Sequence, residues 1–525
     1  MPDGGSGDLL ALVRRVAQAP GDGPFLAVGG AVLTGAGFAQ RTLRTAAGLR
    51  ARGFRHGDRL AIHLHRCVEE AVALCAAALA GGLAVPIHSK LKDAQVSHVL
   101  DDSEPWAVVT SATKGALLDD PRRVLAGRRA FAVGDAPAGV VAEPFAVLAE
   151  GDIAPPPPPA GTWPAILLYT SGSTGRAKGV VQTHHNLALG AELVAGYLRL
   201  SPRDHILGLL PFSFDYGLNQ LLSAMHAGCR ITAADFLGLG ELAALLRSVR
   251  PTGLAGVPSL WHELARGLRT GVLQRDDGSS LRYATNSGGR LALADVRTLR
   301  AELPHVAVFA MYGLTEAFRS AFLPPELLDA HPDSFGRALP GVELVLVDAE
   351  RGTVLEGPAT GELVHAGALV GLGYWRRPDA TAERYRPDPR GTGGTVVYSG
   401  DLVRRDAAGL HYFVGRRDRM LKVQGHRISP DEVAEAVQGL AGVGEVAVYG
   451  ADGGEVGHRI VLCAAGDAAD VDLPQRIAQQ CRARLPAYMV PAVVRVFAAL
   501  PHNQNGKIDF TRLGAMVGEP CTGAP

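Results

Sequence analysis

The sequence predicts an α/β protein with a large N-terminal domain of mixed, largely parallel sheets flanked by helices, and a small α+β C-terminal domain. The chain has 525 residues, and at about 150 residues per domain this length suggests two to four folding units. Strand and helix patterns alternate through most of the chain, which favours parallel sheets covered by helices. Past residue 415 the elements become shorter and more closely spaced. We therefore expect domains at 1–414 and 415–525.

The N-terminal elements follow from runs of apolar residues separated by glycine, proline and polar turns. An amphipathic pattern begins the chain at residues 9–13, and five prolines at 155–159 indicate an exposed polyproline crossing. The expected strands lie at 59–64, 83–87, 106–110, 165–170 and 305–310, with a helix from residue 68. In the C-terminal part we expect helices from 430 and at 473–484, and strands at 444–449, 459–464 and 493–497.

The composition is that of a soluble globular protein, with 47% hydrophobic and 20% charged residues. Lys+Arg and Asp+Glu both total 52, so no overall basic field attracts nucleic acid or an anionic membrane surface. Any anion must be bound by a local site. The six cysteines are scattered without a C-x-x-C pair, and the N-terminus lacks the order of a secretory signal. We expect a cytoplasmic protein with reduced thiols.

A loop rich in glycine and hydroxyl residues directly follows the apolar run at 165–168. Glycines at 172, 175 and 179 allow the backbone to approach a ligand closely, and Lys178 adds a cation. The hydroxyl groups suited to phosphate oxygens belong to Thr170, Ser171, Ser173 and Thr174. The loop is not a Walker A motif, because Gly179 rather than Ser or Thr follows the lysine. Taken alone, it could also be an ordinary surface loop.

Seven motifs in order carry a resemblance to a known family. They are LLYTSGSTGRAKG, NSGG at 286–289, MYGLTE at 311–316, YSGD at 398–401, GRRD at 415–418, KVQG at 422–425 and NGK at 505–507. Together they resemble the adenylate-forming superfamily of acyl-CoA synthetases, amino-acid adenylation domains and luciferases. The resemblance implies ATP and Mg²⁺ as cofactors, a large domain that holds ATP and a carboxylic acid, and a mobile C-terminal domain that swings over it.

The resemblance also implies the residues that bind the nucleotide. At the pyrophosphate end of ATP these are Thr170, Ser171, Gly172, Ser173, Thr174 and Lys178. Around the adenine end they are Gly288, Gly289, Arg290, Met311, Tyr312 and Gly313, and at the ribose and phosphate they are Asp401 and Arg416. The family usually has Glu where this chain has Arg290, and Pro where it has Ala177.

The catalytic candidates are Glu316, Thr315 and Lys507. Glu316 fits a magnesium ligand, because Mg²⁺ is commonly held by one or two carboxylates together with substrate phosphates. The dipeptide before Lys507, at 505–506, favours a tight turn that would present the ammonium at a loop tip. There it would stabilise the charge that builds up when a carboxylate attacks the α-phosphate. The alternatives are that Glu316 is an exposed acid in a loop and that Lys507 is a solvated lysine in a polar tail.

Three further assignments come from the motifs alone. Asp401 is expected in a Gly-Asp turn after a strand, where it would accept hydrogen bonds from the ribose hydroxyls. The resemblance makes Asp418 the hinge at which the C-terminal domain rotates. It also places Gly425 in the tunnel for a pantetheine thiol.

The acid pocket is expected around Asp215 and Arg319. The Phe-Asp pair at 214–215 resembles amino-acid adenylation domains, whose aspartate pairs with the substrate's ammonium, and a buried carboxylate needs such a partner. The alternative is that Asp215 caps a helix beginning at Tyr216. Arg319 would form the opposite pole, so the two suggest a polar or zwitterionic acid. The other expected pocket residues are Tyr216, Asn219, Ser287 and Ser320.

These observations predict a free-standing adenylation ligase. It would convert an amino acid and ATP to an aminoacyl adenylate, with a β-amino acid suggested by resemblance to ligases that serve biosynthetic carrier proteins. The chain ends eighteen residues past Lys507 without a carrier motif. The acyl group would therefore pass to the phosphopantetheine thiol of a discrete carrier protein. The alternatives are an AMP-forming acyl-CoA synthetase, which uses coenzyme A, and a non-catalytic protein that binds ATP or AMP.

Overall fold

The fold is described from a computed structural model of the chain. It describes residues 7–19, 23–116, 118, 120–150, 160–170, 177–417, 421–423, 426–452, 458–485, 487–504 and 506–521. The proline run at 155–159 and the expected hinge and tunnel residues, Asp418 and Gly425, lie outside these ranges. Within them, no helix combines the length and the apolar character that a membrane crossing requires.

The helices of the described ranges are α1 (Leu9–Ala17), α2 (Gly35–Ala51), α3 (Val68–Leu79), α4 (Asp93–Ser103), α5 (Ala112–Gly115), α6 (Pro121–Val124), α7 (His184–Tyr197), α8 (Asp215–Ala227), α9 (Leu239–Val249), α10 (Pro258–Thr270), α11 (Leu293–Glu302), α12 (Pro378–Arg384), α13 (Pro430–Glu435), α14 (Leu473–Arg484) and α15 (Phe510–Val517).

The strands of the first half are β1 (Pro24–Val28), β2 (Ala31–Thr34), β3 (Arg59–Ile62), β4 (Leu83–Pro86), β5 (Ala107–Thr110), β6 (Ala130–Ala132), β7 (Glu143–Pro144), β8 (Pro164–Thr170), β9 (Lys178–Thr183), β10 (His205–Gly208), β11 (Arg230–Ala233) and β12 (Gly253–Gly256). Those of the second half are β13 (Tyr283–Asn286), β14 (Ala307–Tyr312), β15 (Ala321–Leu323), β16 (Ser334–Ala338), β17 (Val342–Val347), β18 (Val354–Leu355), β19 (Ala359–Gly367), β20 (Gly373–Tyr374), β21 (Tyr385–Pro387), β22 (Thr395–Arg405), β23 (His411–Arg416), β24 (Leu421–Val423), β25 (His426–Ile428), β26 (Val443–Asp452), β27 (His458–Gly466) and β28 (Val493–Phe497).

Two large sheets form the N-terminal part. One has the order β20-β9-β8-β4-β3-β5-β6-β7, and its strands from β8 to β7 pair in parallel. The other runs β18-β17-β19-β22-β23-β16-β15-β14-β13-β12-β10-β11-β1-β2, with β21 paired to β22. Strands from β14 to β1 are parallel, whereas those from β14 to β18 pair antiparallel. The expectation of mixed sheets flanked by helices is confirmed. The alternation pattern did not predict the antiparallel half of the longer sheet.

Helices fill the space between the sheets and cover their outer faces. Apolar residues of α1, α2, α3, α7 and α8 share one buried cluster with strands of both sheets. Helices α9, α10 and α11 cover the opposite face of the longer sheet, and α4 covers that of the shorter one. Helix α3 is buried almost all round, as expected for a helix between two sheets. This arrangement places α8 inside the molecule, which matters for the site.

The C-terminal part is a separate small α+β unit. Strands β26 and β27 pair antiparallel, and β28 joins β27 in parallel. Residues of α13 and α14 pack on this sheet in their own hydrophobic cluster. The bounds predicted for α14 and β28 agree with the structure, and α13 begins at the predicted residue. Strand β23 continues through Gly415 to Arg416 and pairs with β22, so the sheet of the N-terminal part extends across the expected domain boundary.

Candidate active site

The two ends of the glycine-rich loop face each other across a hairpin. Thr170 is the last residue of β8 and Lys178 the first of β9, and they form a cross-strand pair. The Lys178 ammonium lies 5.4 Å from the centre of the Tyr374 ring, within the range of a cation–π contact. The structure thus brings the threonine and the lysine side by side. The loop residues expected between them, Ser171, Gly172, Ser173 and Thr174, lie outside the described ranges.

A second glycine loop follows β13. The amide of Asn286 donates to the carbonyl of Gly289 at 2.8 Å and closes the loop, while Gly288 has a φ of +85° that side chains rarely adopt. A Cβ atom at Gly288 would lie 3.9 Å from Cε of Lys507. The catalytic candidate of the C-terminal unit therefore lies against this loop. Ser287 is buried beside it, and its amide donates to Gly256.

Arg290, expected at the adenine, forms ion pairs in both parts of the chain. Its guanidinium forms ion pairs with Asp333 and with Glu435. Glu435 is the last residue of α13 in the C-terminal unit. A residue that the resemblance places at the nucleotide is thus also a contact between the two parts of the chain.

Tyr312, Asp401 and Arg416 form a connected group. The Tyr312 ring stacks on Phe335 with centroids 4.4 Å apart, and its hydroxyl donates to Asp401. Asp401 lies opposite Arg416 in the pairing of β22 with β23, and the guanidinium approaches the carboxylate to 3.0 Å. Burial and the Asp401 carboxylate raise the pKa of Tyr312 well above its usual value, which keeps the hydroxyl a donor.

The expectation that Asp401 lies in a turn after a strand is wrong. Asp401 is inside β22, next to Gly400 with a φ of +74°. The pairing of β19 with β22 shifts register there, so that extra residues of β22 stand opposite β19. Such a bulge re-aims a side chain without ending the strand. The carboxylate consequently faces Tyr312 from a rigid sheet and not from a loop.

Glu316 lies in a short 3-10 turn, Thr315–Ala317, after β14. Its carboxylate accepts from the Tyr374 hydroxyl at 2.7 Å, and its backbone carbonyl accepts from the amide of Gly371. Burial and Glu316 raise the pKa of Tyr374. Among the described residues no three His, Cys, Asp or Glu side chains group as a metal cage. A single oriented carboxylate nevertheless fits Mg²⁺, which takes its remaining oxygen ligands from phosphates and water.

The loop of Lys507 is the tight turn that the sequence predicted. Asn503 donates to the carbonyl of Lys507 at 2.7 Å, and His502 bridges to Ile508. Gly506, with a φ of +73°, lies against Val257 and Ser259 of the N-terminal part. Lys507 itself is exposed. The turn therefore places the ammonium at the surface of the C-terminal unit, facing the loop of Gly288.

A small, partly open cavity lies between α8 and strands β12, β13 and β14. Its polar lining comes from one face of α8, from Tyr283 and Thr285 of β13 and from Arg319, while Met311 and aliphatic side chains form the rest. Arg319 is 4% exposed and its guanidinium packs on the Tyr216 ring at 5.1 Å, while its Nε and one terminal nitrogen have no partner in the described part of the chain. The cavity is lined by Val194, Leu198, Leu200, Ile206, Tyr216, Asn219, Gln220, Ser223, Ala255, Tyr283, Thr285, Met311 and Arg319.

Asp215 is buried, at 5% exposed. It precedes the cavity residue Tyr216 in the chain, but it does not itself line the cavity. One carboxylate oxygen accepts from the Thr315 hydroxyl at 3.1 Å, and among the described residues no cation pairs with it. Helix α8 begins at Asp215 itself and its N-cap residue is Phe214; the Asp215 carboxylate accepts from Thr315 rather than from an amide of the helix. The alternative that Asp215 caps a helix starting at Tyr216 is therefore not what the structure shows.

Other expected residues lie at the edges of the cavity. Ser320 is fully buried and its hydroxyl has no partner among the described residues, but neither Ser320 nor Ser287 lines the cavity. Met311, expected near the cofactor, lines the cavity and accepts from the Tyr197 hydroxyl through sulfur. Gly313 packs closely against the backbone of Phe318 and Arg319.

Two family models match the chain. The model described as "AMP-binding enzyme" matches residues 12–375, and the model of its C-terminal domain matches residues 432–507. The chain belongs to the AMP-binding enzyme family. As a member, it is an AMP-forming acid–thiol ligase, and the expected resemblance is confirmed. The two matched regions fall within the two parts of the fold described above.

Several relatives of this AMP-binding enzyme are known. An L-proline–[L-prolyl-carrier protein] ligase of Streptomyces coelicolor is 32% identical over 93% of this chain and 92% of its own length. An isonitrile lipopeptide synthase of Mycobacterium tuberculosis is 31% identical over 96% of this chain, which spans 19% of that protein. Among solved structures, ATP-bound MatB of Rhodopseudomonas palustris is 26% identical, with a TM-score of 0.84 over 97% of this chain and 99% of the other.

The structure also reveals residues of this AMP-binding enzyme that the sequence analysis missed. Gln220 lines the cavity, and both of its amide atoms are unpaired within the described ranges. With Tyr216, Asn219 and Ser223 it forms a polar row at i, i+3, i+4 and i+7, which is one face of a helix. This helical spacing is visible in the sequence and could have identified Gln220 as a pocket residue. Tyr374, the partner of Glu316, lies 58 residues away in sequence and left no such signal.

Proposed function

We propose that this enzyme uses ATP and Mg²⁺ to activate an amino acid that carries a second polar or anionic group. It then passes the aminoacyl group to the phosphopantetheine thiol of a discrete carrier protein. The observation that carries this proposal is the pair of buried charges: Arg319 in the cavity lining, and Asp215 immediately before Tyr216, the first cavity residue of α8. The Streptomyces coelicolor relative joins an amino acid to a carrier protein, which supports the same interpretation.

The acidic side of the pocket favours an ammonium. Asp215 is buried with one hydrogen bond, from Thr315, and a buried carboxylate is costly unless it is paired. An ammonium in the cavity would supply the missing positive charge. A fatty acid would leave the carboxylate desolvated and unpaired.

Arg319, on the basic side of the pocket, favours a hydrogen-bond acceptor on the substrate in addition to the reacting carboxylate. Among the described residues, nothing pairs with two N–H groups of Arg319 or with amide groups of the neighbouring Asn219 and Gln220. A guanidinium presents a planar fork that matches a carboxylate or a carbonyl oxygen. Because the reacting carboxylate must reach the α-phosphate, this acceptor belongs to another part of the molecule. The narrower proposal is a β-amino acid, in which the amine and the reacting carboxylate are one carbon further apart.

The remaining site residues take roles in the adenylation step. Thr170 and Lys178 would hold the phosphates, while Asp401 and Arg416 would hold the ribose, since each pair is already assembled by strand pairing. Mg²⁺ on Glu316 would neutralise charge on the phosphates. Lys507 would stabilise the α-phosphate as the carboxylate attacks it and pyrophosphate leaves.

A substrate-dependent pyrophosphate-exchange screen tests this function. It should compare α-amino acids, β-amino acids, amino dicarboxylic acids, simple carboxylic acids and fatty acids. We expect activity with an amino acid, and the wild type should prefer it to its des-amino analogue. In Asp215→Asn this preference should fall by about thirty-fold or more, because a charged buried hydrogen bond contributes about 2 to 5 kcal/mol.

Asp295→Asn is the matched control. Asp295, in α11, is also a buried aspartate, but it pairs with His262 and Arg269 of α10, and none of the three lines the cavity. It should lower stability without changing the amino to des-amino ratio. A wild type that activates fatty acids best, and does so equally well in Asp215→Asn, would refute the proposal.

The thiol that receives the acyl group is identified by comparing kcat/KM for a phosphopantetheinylated carrier protein with kcat/KM for free coenzyme A. We expect the carrier to be preferred, because its protein surface adds binding area that coenzyme A lacks. A clear preference for coenzyme A would make the protein an acyl-CoA synthetase.

A further inference from the structure

The two parts of the chain are joined by contacts on both sides of the Lys507 loop. On one side, the hydroxyl of Ser259 donates to the carbonyl of Gly506 at 3.5 Å, and Lys507 lies against Gly288. On the other, the His88 side chain lies close to the backbone of Gln504. These contacts are short and local. They place Lys507 at the glycine loop, but they leave the remainder of the C-terminal unit to be held by other groups.

The ion pairs of Arg290 supply a second point of attachment. Arg290 follows Gly288 by two residues, so its side chain projects from the same loop that contacts Lys507. It bridges Asp333 of the N-terminal part and Glu435 of the C-terminal unit. A single guanidinium can pair with two carboxylates, because it carries five donors in a fixed plane. Arg290 and Asp333 both belong to the N-terminal part, so their ion pair can persist when the C-terminal unit moves. The ion pair with Glu435 is lost by the same movement.

Helix α13 connects this ion pair to the junction between the two parts. Near its first turn, the hydroxyl of Ser429 donates to the carbonyl of Val414 at 2.8 Å. A Cβ atom at Gly415 would lie 2.6 Å from that hydroxyl oxygen. The far end of the helix carries Glu435. Any rotation of the C-terminal unit about this junction moves Glu435 on an arc, and so separates it from Arg290.

The whole chain also matches the ATP-bound form of a relative more closely than its apo form. The chain matches ATP-bound MatB with a TM-score of 0.84 and apo MatB with 0.75, at the same coverage. In this structure the Arg290–Glu435 ion pair occurs together with the contact between Lys507 and the Gly288 loop.

We infer that Arg290 and Glu435 are positioning residues, whose ion pair holds the C-terminal unit in the arrangement for adenylate formation and is released for thioester formation. The inference rests on the two-step function proposed above. Arg290 is where the family usually has Glu, which could not pair with an acid on α13. The ion pair is accordingly a device of this chain and of relatives that share both residues. Asp333 keeps the guanidinium in place when Glu435 leaves.

A double-mutant cycle in the full-length enzyme tests this inference. Both side chains of the pair are partly exposed, and such pairs contribute up to about 1 kcal/mol, which corresponds to roughly two- to five-fold. We expect Arg290→Gln and Glu435→Gln each to lower pyrophosphate exchange by about this factor. The double variant should be no slower than the slower single variant, because the interaction is lost only once.

Two further readouts separate positioning from a general loss of structure. In Glu435→Gln, thioester formation from preformed adenylate should be unchanged or faster, and the melting temperature should be unchanged. Raising the salt concentration should slow pyrophosphate exchange in the wild type more than in Glu435→Gln, because salt screens the ion pair. Glu432→Gln, on the same helix, is the control and should behave as wild type.

Additive losses in the double variant, or equal losses in both half-reactions of Glu435→Gln, would overturn the inference. A wild type that performs neither half-reaction with any amino acid would instead refute the proposed function. The two failures are distinguishable, because the first requires an active wild-type enzyme.

Discussion

Replacing Gly217 with alanine should displace the helix that forms the polar wall of the acid cavity. Gly217 is in the first turn of α8, between Tyr216 and the cavity residues that follow. A Cβ atom there would lie 2.2 Å from the carbonyl oxygen of Pro211 and 2.6 Å from that of Leu210. Both neighbours are backbone atoms, so no side-chain rotation relieves the contact.

The size of the displacement follows from these distances. Carbon and oxygen atoms pack at about 3.2 Å or more, so the gap must open by roughly 1 Å. Overpacking of this kind costs about 1 to 3 kcal/mol of stability. A shift of 1 Å in a positioning element can lower the rate about a hundred-fold. The loss should fall mainly on the amino acid, because α8 contributes Tyr216, Asn219 and Gln220 to the cavity.

The assay is pyrophosphate exchange with the best amino acid from the screen, together with thermal unfolding. We expect a lower melting temperature and a kcat/KM reduced by about one to two orders of magnitude. Gly196→Ala is the matched control, because Gly196 is an exposed glycine of α7 with no atom within 4 Å of a Cβ. It should raise stability by about 0.5 to 1 kcal/mol without affecting kcat/KM. If Gly217→Ala behaves like Gly196→Ala, the helix is not fixed by this backbone contact.

Two other predictions concern Lys507 and Glu70. Lys507→Ala should lower adenylate formation by about two to three orders of magnitude and leave thioester formation from preformed adenylate intact; equal loss in a two-step assay would contradict its role. Burial raises the pKa of the Glu70 carboxyl to about 8, opposed by Arg66. The carboxyl in the unfolded chain ionises near pH 4.3, so its contribution to the unfolding free energy falls as pH rises from about 4.5 to 8. Glu70→Gln removes this dependence, and its stability relative to wild type should increase by a few kcal/mol between pH 5 and 8 in urea unfolding. A constant difference would show that Glu70 is charged in the folded enzyme.

Local sequence signals predicted the elements whose ends are set locally. Helix α14 begins at Leu473 with a proline at its second position, and β28 follows a proline at 491, so both were predicted with the correct bounds. The turn of Lys507 was equally clear, because Asn-Gly favours it. The antiparallel half of the longer sheet was missed, since strand direction depends on partners far away in sequence.

The same distinction applies to the site. The motifs predicted Glu316 and Lys507: the structure places Glu316 against Tyr374, whose ring lies beside Lys178, and it places Lys507 against Gly288. The position of Asp401 was misjudged, because the bulge in β22 arises from its register with β19 and not from the Gly-Asp dipeptide. The pairing of Arg290 with Glu435 spans 145 residues, and no spacing rule reaches so far.

The position of α8 has a consequence for how such an enzyme acquires a new substrate. Its cavity-facing residues lie three or four positions apart along one helix. The residues proposed for the nucleotide and the reacting phosphate come instead from β8, β22, the turn after β14 and the C-terminal unit. Changes along that single stripe would alter which acid fits while leaving the chemistry untouched. Natural selection, or a mutant library confined to residues 219, 220 and 223, could therefore change the preferred acid through a few substitutions. The residues proposed to bind and activate ATP would stay the same.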